Sequence, residues 1–375
     1  MRPVWIDCDA GTDDAQAVMM ALVDPSVRIV GISCVNGNVD VDKVVVNVAH
    51  ILRVAARASG PAGSAAARLH SEGVDAIPVY RGATAPLVRK PVDAEFWHGI
   101  DGLGDVDWAA RGEADDHAEL PSTVRDKGDP CKHAALALCT AARANAGVLE
   151  VVAIGPLTNL ALAVRLDPSL PSLIKRIVVM GGAMDAFGNA TASAEFNFFG
   201  DPEAANIVLT EFASVELVGW KATFEHGLDV EWVQSAWLGG AGGSALQSFV
   251  NAISIVGVGK CAARRQPYLI PDPLAMAVAL RPDAATSAFS CEARVELAPG
   301  SLTYGQLVLD RRYVFLGGAA TSIVEDQADI EEVLDGRAAK APAAKKAHTL
   351  RVVSGIDMDI VRELLLKSVG AAASS

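Results

Sequence analysis

The sequence predicts an α/β fold: one large doubly wound domain around a mostly parallel, Rossmann-like central sheet. Three observations carry this expectation. Short β-branched runs alternate with helical stretches along most of the chain. The first of them, at residues 4–6, 14–23 and 28–35, reads as a strand, a helix and a second strand. Such a βαβ unit implies parallel strands with helices covering the sheet. Later strands end in Gly155-Pro156 and Gly181-Gly182, turn signals that separate a strand from the next element.

Taken in order, residues 4–6 are apolar and β-prone, and residues 14–23 are apolar on nearly every face, as a buried helix requires. Residues 28–35 supply the second strand. The stretch 55–68 is rich in Ala, Gly and Ser, which predicts a helix end and a surface insertion near 55–75. Charge, Gly and Pro crowd residues 111–133, which predicts a loop excursion. Residues 150–154 read as a strand and 157–165 as a helix. Strands at 175–180 and 215–220 come next. Pro271-Asp272-Pro273 opens an apolar helix over 274–280. Residues 336–348 form a basic, alanine-rich connector, 349–353 a last strand and 357–369 an amphipathic helix, with a frayed tail at 371–375. There is no internal repeat and no sharp break in composition, so one domain over residues 1–370 is expected.

Composition narrows the function. Of the 375 residues 51% are hydrophobic and 21% charged, which excludes wholesale disorder. Aromatics are only 5%, so aliphatic side chains must build the core. A net charge of -13 argues against holding nucleic acid by its phosphates and favours a neutral ligand or a cation. No uninterrupted apolar run approaches about 18 residues, so no membrane span is expected. The six cysteines are scattered without a C-x-x-C pair and read as reduced thiols. A strand-like run begins at Val4, leaving no room for a secretory signal, and the expectation is a cytoplasmic protein.

The segment Asp7-Cys8-Asp9-Ala10-Gly11-Thr12-Asp13-Asp14 packs four carboxylates into eight residues. Strand alternation would point Asp7 and Asp9 to one side, with Gly11 turning the chain and Asp13 and Asp14 opening a helix. That places the cluster at the carboxyl end of the first strand, where open α/β sheets bind ligands. Four like charges so close repel one another, and a bound divalent cation relieves them. Hard oxygens with no adjacent His or Cys suit Ca²⁺ or Mg²⁺ rather than Zn²⁺. A plainer reading makes Asp13 or Asp14 a helix cap and Asp7 a partner of backbone amides. Caps explain a helix start but not the paired strand aspartates. Asn189, Glu195 and Asn197 are the kinds of groups that read sugar hydroxyls, whereas Asp201-Pro202 reads as a helix cap and first turn. Asp272 has a comparable plain reading as an N-cap.

These residues resemble a known family. The run Asp7–Asp14 is similar to the D-x-D-x-G-x-D-D signature of the inosine-uridine-preferring nucleoside hydrolases. Further matching blocks occur in family order: Gly37-Asn38-Val39, Trp97-His98-Gly99, Gly155-Pro156-Leu157-Thr158-Asn159, Met180-Gly181-Gly182, Ala194-Glu195-Phe196-Asn197 and Asp272. The resemblance implies a metal-dependent enzyme that hydrolyses the N-glycosidic bond of purine or pyrimidine ribonucleosides. It implies Ca²⁺ held by Asp9, Asp14, Asp272 and the backbone carbonyl of Ile154, with Asp9 also the general base. Asp13, Asn38, Asn189, Glu195 and Asn197 would hold the ribose, and Met180 would pack against it. A homodimer or homotetramer is implied as well.

One departure stands out. Many relatives carry a histidine immediately before the last metal-binding aspartate, where it protonates the leaving base; here that position is Pro271. Candidates to assist the leaving group instead are His98, Trp97 and Tyr268. Trp5, Trp108, Trp220, Trp232 and Trp237 read as packing or surface contacts. Two rival readings remain open: a nucleoside- or ribose-binding protein that has lost turnover, and a Mg²⁺-dependent D-x-D phosphatase.

Overall fold

The strand β1 (Arg2–Cys8) is buried at six of its seven positions, as a strand covered on both faces must be. It pairs in parallel with β2 (Val27–Cys34) on one side and β4 (Leu149–Ala153) on the other. The computed structural model describes residues 1–58, 60–111, 120–125, 133–239, 243–311 and 350–370. The expected connector at 336–348, the tail at 371–375 and most of the excursion at 111–133 lie outside these.

With β3 (Val79–Arg81), β5 (Ile174–Met180), β6 (Val215–Val218), β7 (Ala285–Val295), β8 (Leu307–Asp310) and β9 (Leu350–Ile356), the sheet runs β3-β2-β1-β4-β5-β6-β9-β7-β8. The pairings from β3 through to β9 are parallel. The strand order reverses between β1 and β4, the switch point where a doubly wound sheet opens a crevice at its carboxyl edge. Asp9 follows β1 there, and Ile154 follows β4.

Alternation along β1 feeds two cores. Ile6 and Cys8 join Val18, Ile32 and Leu274 on one face, whereas Trp5 joins Val151, Leu160 and Val179 on the other. Helix α1 (Thr12–Val23) is buried at every residue, in accord with its unbroken apolar character. The helix Pro271–Leu280 is almost as deeply buried, and its C-terminal carbonyls are anchored. Arg2 donates to Ala279 O (3.0 Å) and Leu280 O (2.8 Å), and Arg176 donates to Val278 O (3.0 Å). Cations at a helix C-terminus satisfy orphan carbonyls and favour the dipole. The anchoring fixes where the opposite end, carrying Asp272, meets the crevice.

Several elements depart from expectation. β6 stops at Val218, and Trp220 opens the helix Trp220–Glu225 instead of ending the strand. Helix α2 (Val41–Arg57) covers the start of the expected insertion, and a second helix, Ala65–Glu72, is capped by Ser64 Oγ. The antiparallel additions β7 and β8 have no sequence forecast, because β7 (ATSAFSCEARV) lacks an apolar run. The twenty-residue helix Ala245–Arg264 was likewise unforeseen. Its length and mean hydropathy of 1.3 would suffice for a membrane span, but half of it is buried and Phe249, Val250 and Ile253 pack in the core.

Trp5 lies flat against Gly31 on β2 and donates from Nε1 to Ser33 Oγ (2.7 Å). A Cβ at position 31 would fall 2.3 Å from the indole ring. Gly31→Ala therefore displaces Trp5 and should lower the urea midpoint by an amount equivalent to about 1–3 kcal/mol, with an unchanged m-value.

Candidate active site

Beyond β1 the chain leaves the extended conformation at Ala10, whose φ is +42°. Gly11 is next, and a Cβ there would lie 2.6 Å from both Asn38 Nδ2 and His98 Nδ1. The turn folds the first turn of α1 back over Asp9. Asp14 accepts from the Asp9 amide (3.1 Å), the Gly11 amide (2.9 Å) and Asn38 Nδ2 (3.0 Å). Asp14 thus carries half of a capping box as well as a place in the acid cluster.

Asp9 Oδ2 accepts from the Asn38 amide (2.7 Å), while its Oδ1 is buried without a hydrogen-bond partner. Glycines make room for it. A Cβ at Gly37 would lie 2.0 Å from Asp9 Oδ2, and one at Gly155 3.0 Å from Oδ1. Asp272 is the second residue of its helix and makes no cap: the N-cap is Ile270, with no side-chain hydrogen bond. Its plain reading as an N-cap is therefore wrong. Asp13, Asp14 and Asp272 each bring a carboxylate oxygen within 4.8 Å of the others.

Asp7 is not part of this cluster. It accepts from Ser33 Oγ and from Asn159 Nδ2 (2.8 Å), tying β1 to β2 and to the helix Thr158–Leu166. Asp9 lies just beyond the strand, which ends at Cys8, and the chain turns at Ala10.

Burial pushes Asp9 and Asp272 well above the ordinary carboxylate range, and the charges of neighbouring aspartates push them further. Asp14 rises to about 6, first through burial and then through Asp13. Among the described residues no lysine or arginine forms an ion pair with any of the four; His98 Nδ1, 3.7 Å from Asp13 Oδ1, is the nearest basic group. Buried acids that repel one another, with unpartnered oxygens on Asp9 and Asp13, fit a hard divalent cation.

Above the acids lies a cavity of about 540 Å³. Asp13, Asn38, His98, Ile154, Met180, Asn189, Glu195, Asn197 and Asp272 line it, so sequence positions up to 259 residues apart converge. Asp9 and Asp14 lie behind this lining, both fully buried. Glu195 caps the helix Phe196–Gly200: it accepts from the amides of Asn197 (2.8 Å), Gly182 (2.8 Å) and Phe198 (3.2 Å). Burial raises it to about 7. Asn189 Oδ1 accepts from the Phe196 amide (2.8 Å), and Asn197 Nδ2 donates to Ile154 O (3.0 Å). Asp201 caps the helix Pro202–Glu211, as the sequence indicated.

The Thr12 amide donates to His98 Nδ1 (3.1 Å), so the ring's proton sits on Nε2. Burial lowers the pKa of His98, which favours this neutral form. Trp97 and Tyr268 also line the cavity. Tyr268 Oη accepts from Gln16 Nε2 (3.0 Å), and burial pushes the phenol up to about 12. The sequence reading missed Phe96, Phe199, Arg264 and Gln266, and Trp220, read as a packing or surface contact, packs against the core and faces the cavity as well; all five line it. They belong to no charged or glycine-marked motif, so only the fold reveals them.

Fold and site together define a class: a doubly wound α/β protein with an oxygen-donor acid cluster beneath a cavity at the sheet's switch point. A family model described as inosine-uridine preferring nucleoside hydrolase matches residues 4–363, and the chain belongs to that family. Uridine nucleosidase 1 of Arabidopsis thaliana is 36% identical over 219 residues, covering 58% of this chain and 56% of that protein. The pyrimidine-specific ribonucleoside hydrolase RihB of Escherichia coli is 34% identical over 222 residues, covering 59% and 60%. The matched region thus spans less than two thirds of these curated relatives. Among solved structures, an inosine-guanosine nucleoside hydrolase superposes with a TM-score of 0.73 at 27% identity, covering 99% of each chain. A plant nucleoside hydrolase gives a TM-score of 0.75 at 24% identity, covering 98% of this chain and 99% of that one, a likeness of fold.

Two outcomes are expected. A divalent cation that binds the acid cluster should, at about 100 times its Kd, stabilise the protein by about 2.7 kcal/mol in denaturant melts, and Asp272→Asn should remove most of that gain. Asp7 and Glu195, both raised to about 7, contribute stability that is complete below the ordinary carboxylate range and lost as pH rises through about 7. In EDTA the melting temperature should therefore fall between pH 5 and 8.

Proposed function

We propose that the chain hydrolyses the N-glycosidic bond of purine or pyrimidine ribonucleosides to free base and ribose. The observation that carries this is the buried, unpartnered Oδ1 of Asp9 beside an acid cluster of which Asp13 and Asp272 line a cavity together with Asn38, Glu195 and Asn197. Asp9, Asp14, Asp272 and the carbonyl of Ile154 would hold Ca²⁺. When bound, calcium supplies Lewis acidity toward water and offsets the acids' mutual repulsion.

Breaking the bond builds positive charge on the ribose ring, in an oxocarbenium-like transition state. The carboxylates stabilise that charge more than they stabilise the neutral nucleoside, which is differential binding. Asp9 accepts the proton of the attacking water. Asp13, Asn38, Asn189, Glu195 and Asn197 orient the ribose hydroxyls, and Met180 packs against the sugar. Glu195 and Asn189 are themselves held by backbone amides, so they meet the sugar in preset positions. His98, neutral with its hydrogen on Nε2, donates a hydrogen bond toward the base. A cytosolic homodimer or homotetramer belongs to the same reading.

The rival readings fare differently. A D-x-D phosphatase would use Asp7 as nucleophile, but Asp7 is bound to Ser33 and Asn159 and does not line the cavity. A binding protein without turnover is motivated by Pro271 and predicts retained affinity with no ribose released.

A panel of inosine, uridine, cytidine, adenosine, guanosine and xanthosine, assayed for reducing sugar, separates these outcomes. Hydrolysis should stop in EDTA and return with calcium. Asp9→Asn should lower kcat by about 10²–10⁴-fold with KM within a few-fold. Unchanged kcat would remove Asp9 as the base.

A further inference from the structure

Cleavage of C1′–N leaves both bonding electrons on the base nitrogen, so the base departs as an anion unless it is protonated on the way. The enzyme's own acids meet this need poorly: Tyr268 lines the cavity, but its Oη accepts from Gln16 and burial pushes the phenol up to about 12. Pro271 has no proton to give, and the Nδ1 of His98 is occupied as an acceptor from Thr12, leaving the ring uncharged. An anionic base would also sit in a cavity lined by Asp13, Asp93, Glu195 and Asp272. Something positive has to face it.

Among the described residues lining the cavity, Arg264 is the one lysine or arginine. It is exposed, whereas Asp272 in the same lining is 3% exposed. Its backbone is fixed as the last residue of the helix Ala245–Arg264. Arg265 comes next in the left-handed conformation (φ +54°), its amide donating to Ala262 O (3.1 Å), and the Gln266 amide donates to Cys261 O (3.0 Å). One turn earlier, Lys260 does not itself line the cavity: its Nζ lies behind two residues that do, 3.4 Å from Phe96 O and 5.5 Å from the centre of the Trp97 ring. No carboxylate among the described residues forms an ion pair with Arg264. A guanidinium offers only donors and keeps its charge at any working pH.

Resting on the hydrolase reading above, we infer that Arg264 stabilises the departing nucleobase as an anion, so that the enzyme need not protonate it. The C1′–N bond breaks with its electron pair going to the base, and the guanidinium binds the electron-rich edge of the ring, such as the O6 and N7 of a 6-oxopurine. Water oxygen bonds to C1′, Asp9 takes the water's proton, and the base acquires its own proton from solvent after release. Atoms and charge balance without a general acid.

The test compares leaving groups. p-Nitrophenyl β-D-ribofuranoside releases an anion already stable in water and carries no base for Arg264 to bind. Arg264→Met should lower kcat/KM for inosine and uridine by about 10–100-fold while leaving the nitrophenyl riboside within about threefold. Arg264→Lys, keeping a point charge, should fall between. Equal losses on both kinds of substrate, or no loss on nucleosides, would overturn the inference while leaving hydrolysis intact. Absence of ribose release by the wild type from nucleosides and nitrophenyl riboside alike would overturn the hydrolase reading itself. Melting temperatures of the variants control for folding.

Discussion

Repulsion among buried aspartates is the constraint around which this molecule is organised. Asp13, Asp14 and Asp272 bring oxygens within 4.8 Å of one another, Asp9 feels the charges of Asp13 and Asp14, and no basic side chain among the described residues pairs with them beyond the neutral His98. Bringing such groups together in a low-dielectric interior is costly unless protons, amides or a cation intervene. The backbone supplies part of the relief through the amides of Asp9, Gly11 and Asn38. The remaining demand is what makes the site a receptor for positive charge, whether a metal ion or a sugar ring gaining charge in a reaction.

The fold meets that constraint by converging chain segments that start far apart. β1 ends at the switch point with Asp9, and α1 begins there with Asp13 and Asp14. The helix Pro271–Leu280 arrives with Asp272 because Arg2 and Arg176 grip its other end. Those two arginines also face Glu150 on β4, so the amino edge of the sheet and the position of Asp272 are mechanically linked. A site on three element ends is stiffer than one on loops, and stiffness is what an acid cluster needs if it is not to spread apart.

The walls of the cavity obey the same logic. Glu195 is simultaneously a helix cap and a cavity-lining carboxylate, and Asn189 and Asn197 spend part of their hydrogen-bonding capacity on the Phe196 amide and the Ile154 carbonyl. Their polar atoms are therefore positioned before any ligand arrives. Charge in the lining is mixed: Asp13, Asp93, Glu195 and Asp272 supply carboxylates, His98 a neutral ring and Arg264 a guanidinium.

Much of this was legible in the amino-acid order. Period and turn residues foretold the parallel sheet and the buried first helix, because local propensity is written residue by residue; eleven of the candidate site residues named from the sequence line the cavity, Asn38, Ile154 and Met180 among them only through the family resemblance. Other features needed the folded chain. Asp7 and Asp9 differ in surroundings although they share a motif: Asp7 is bound to Ser33 and Asn159, whereas Asp9 keeps an unpartnered oxygen beside the acid cluster. Asp272 looks like a cap in isolation and proves otherwise only when its helix is seen to begin at Pro271. The edge strands β7 and β8 are set by pairing across the sheet, and Arg264 and Trp220 enter the cavity by the packing of distant helices. Linear sequence specifies which groups exist and their local conformation; their distances and electric fields arise from contacts between segments, and those exist only in three dimensions.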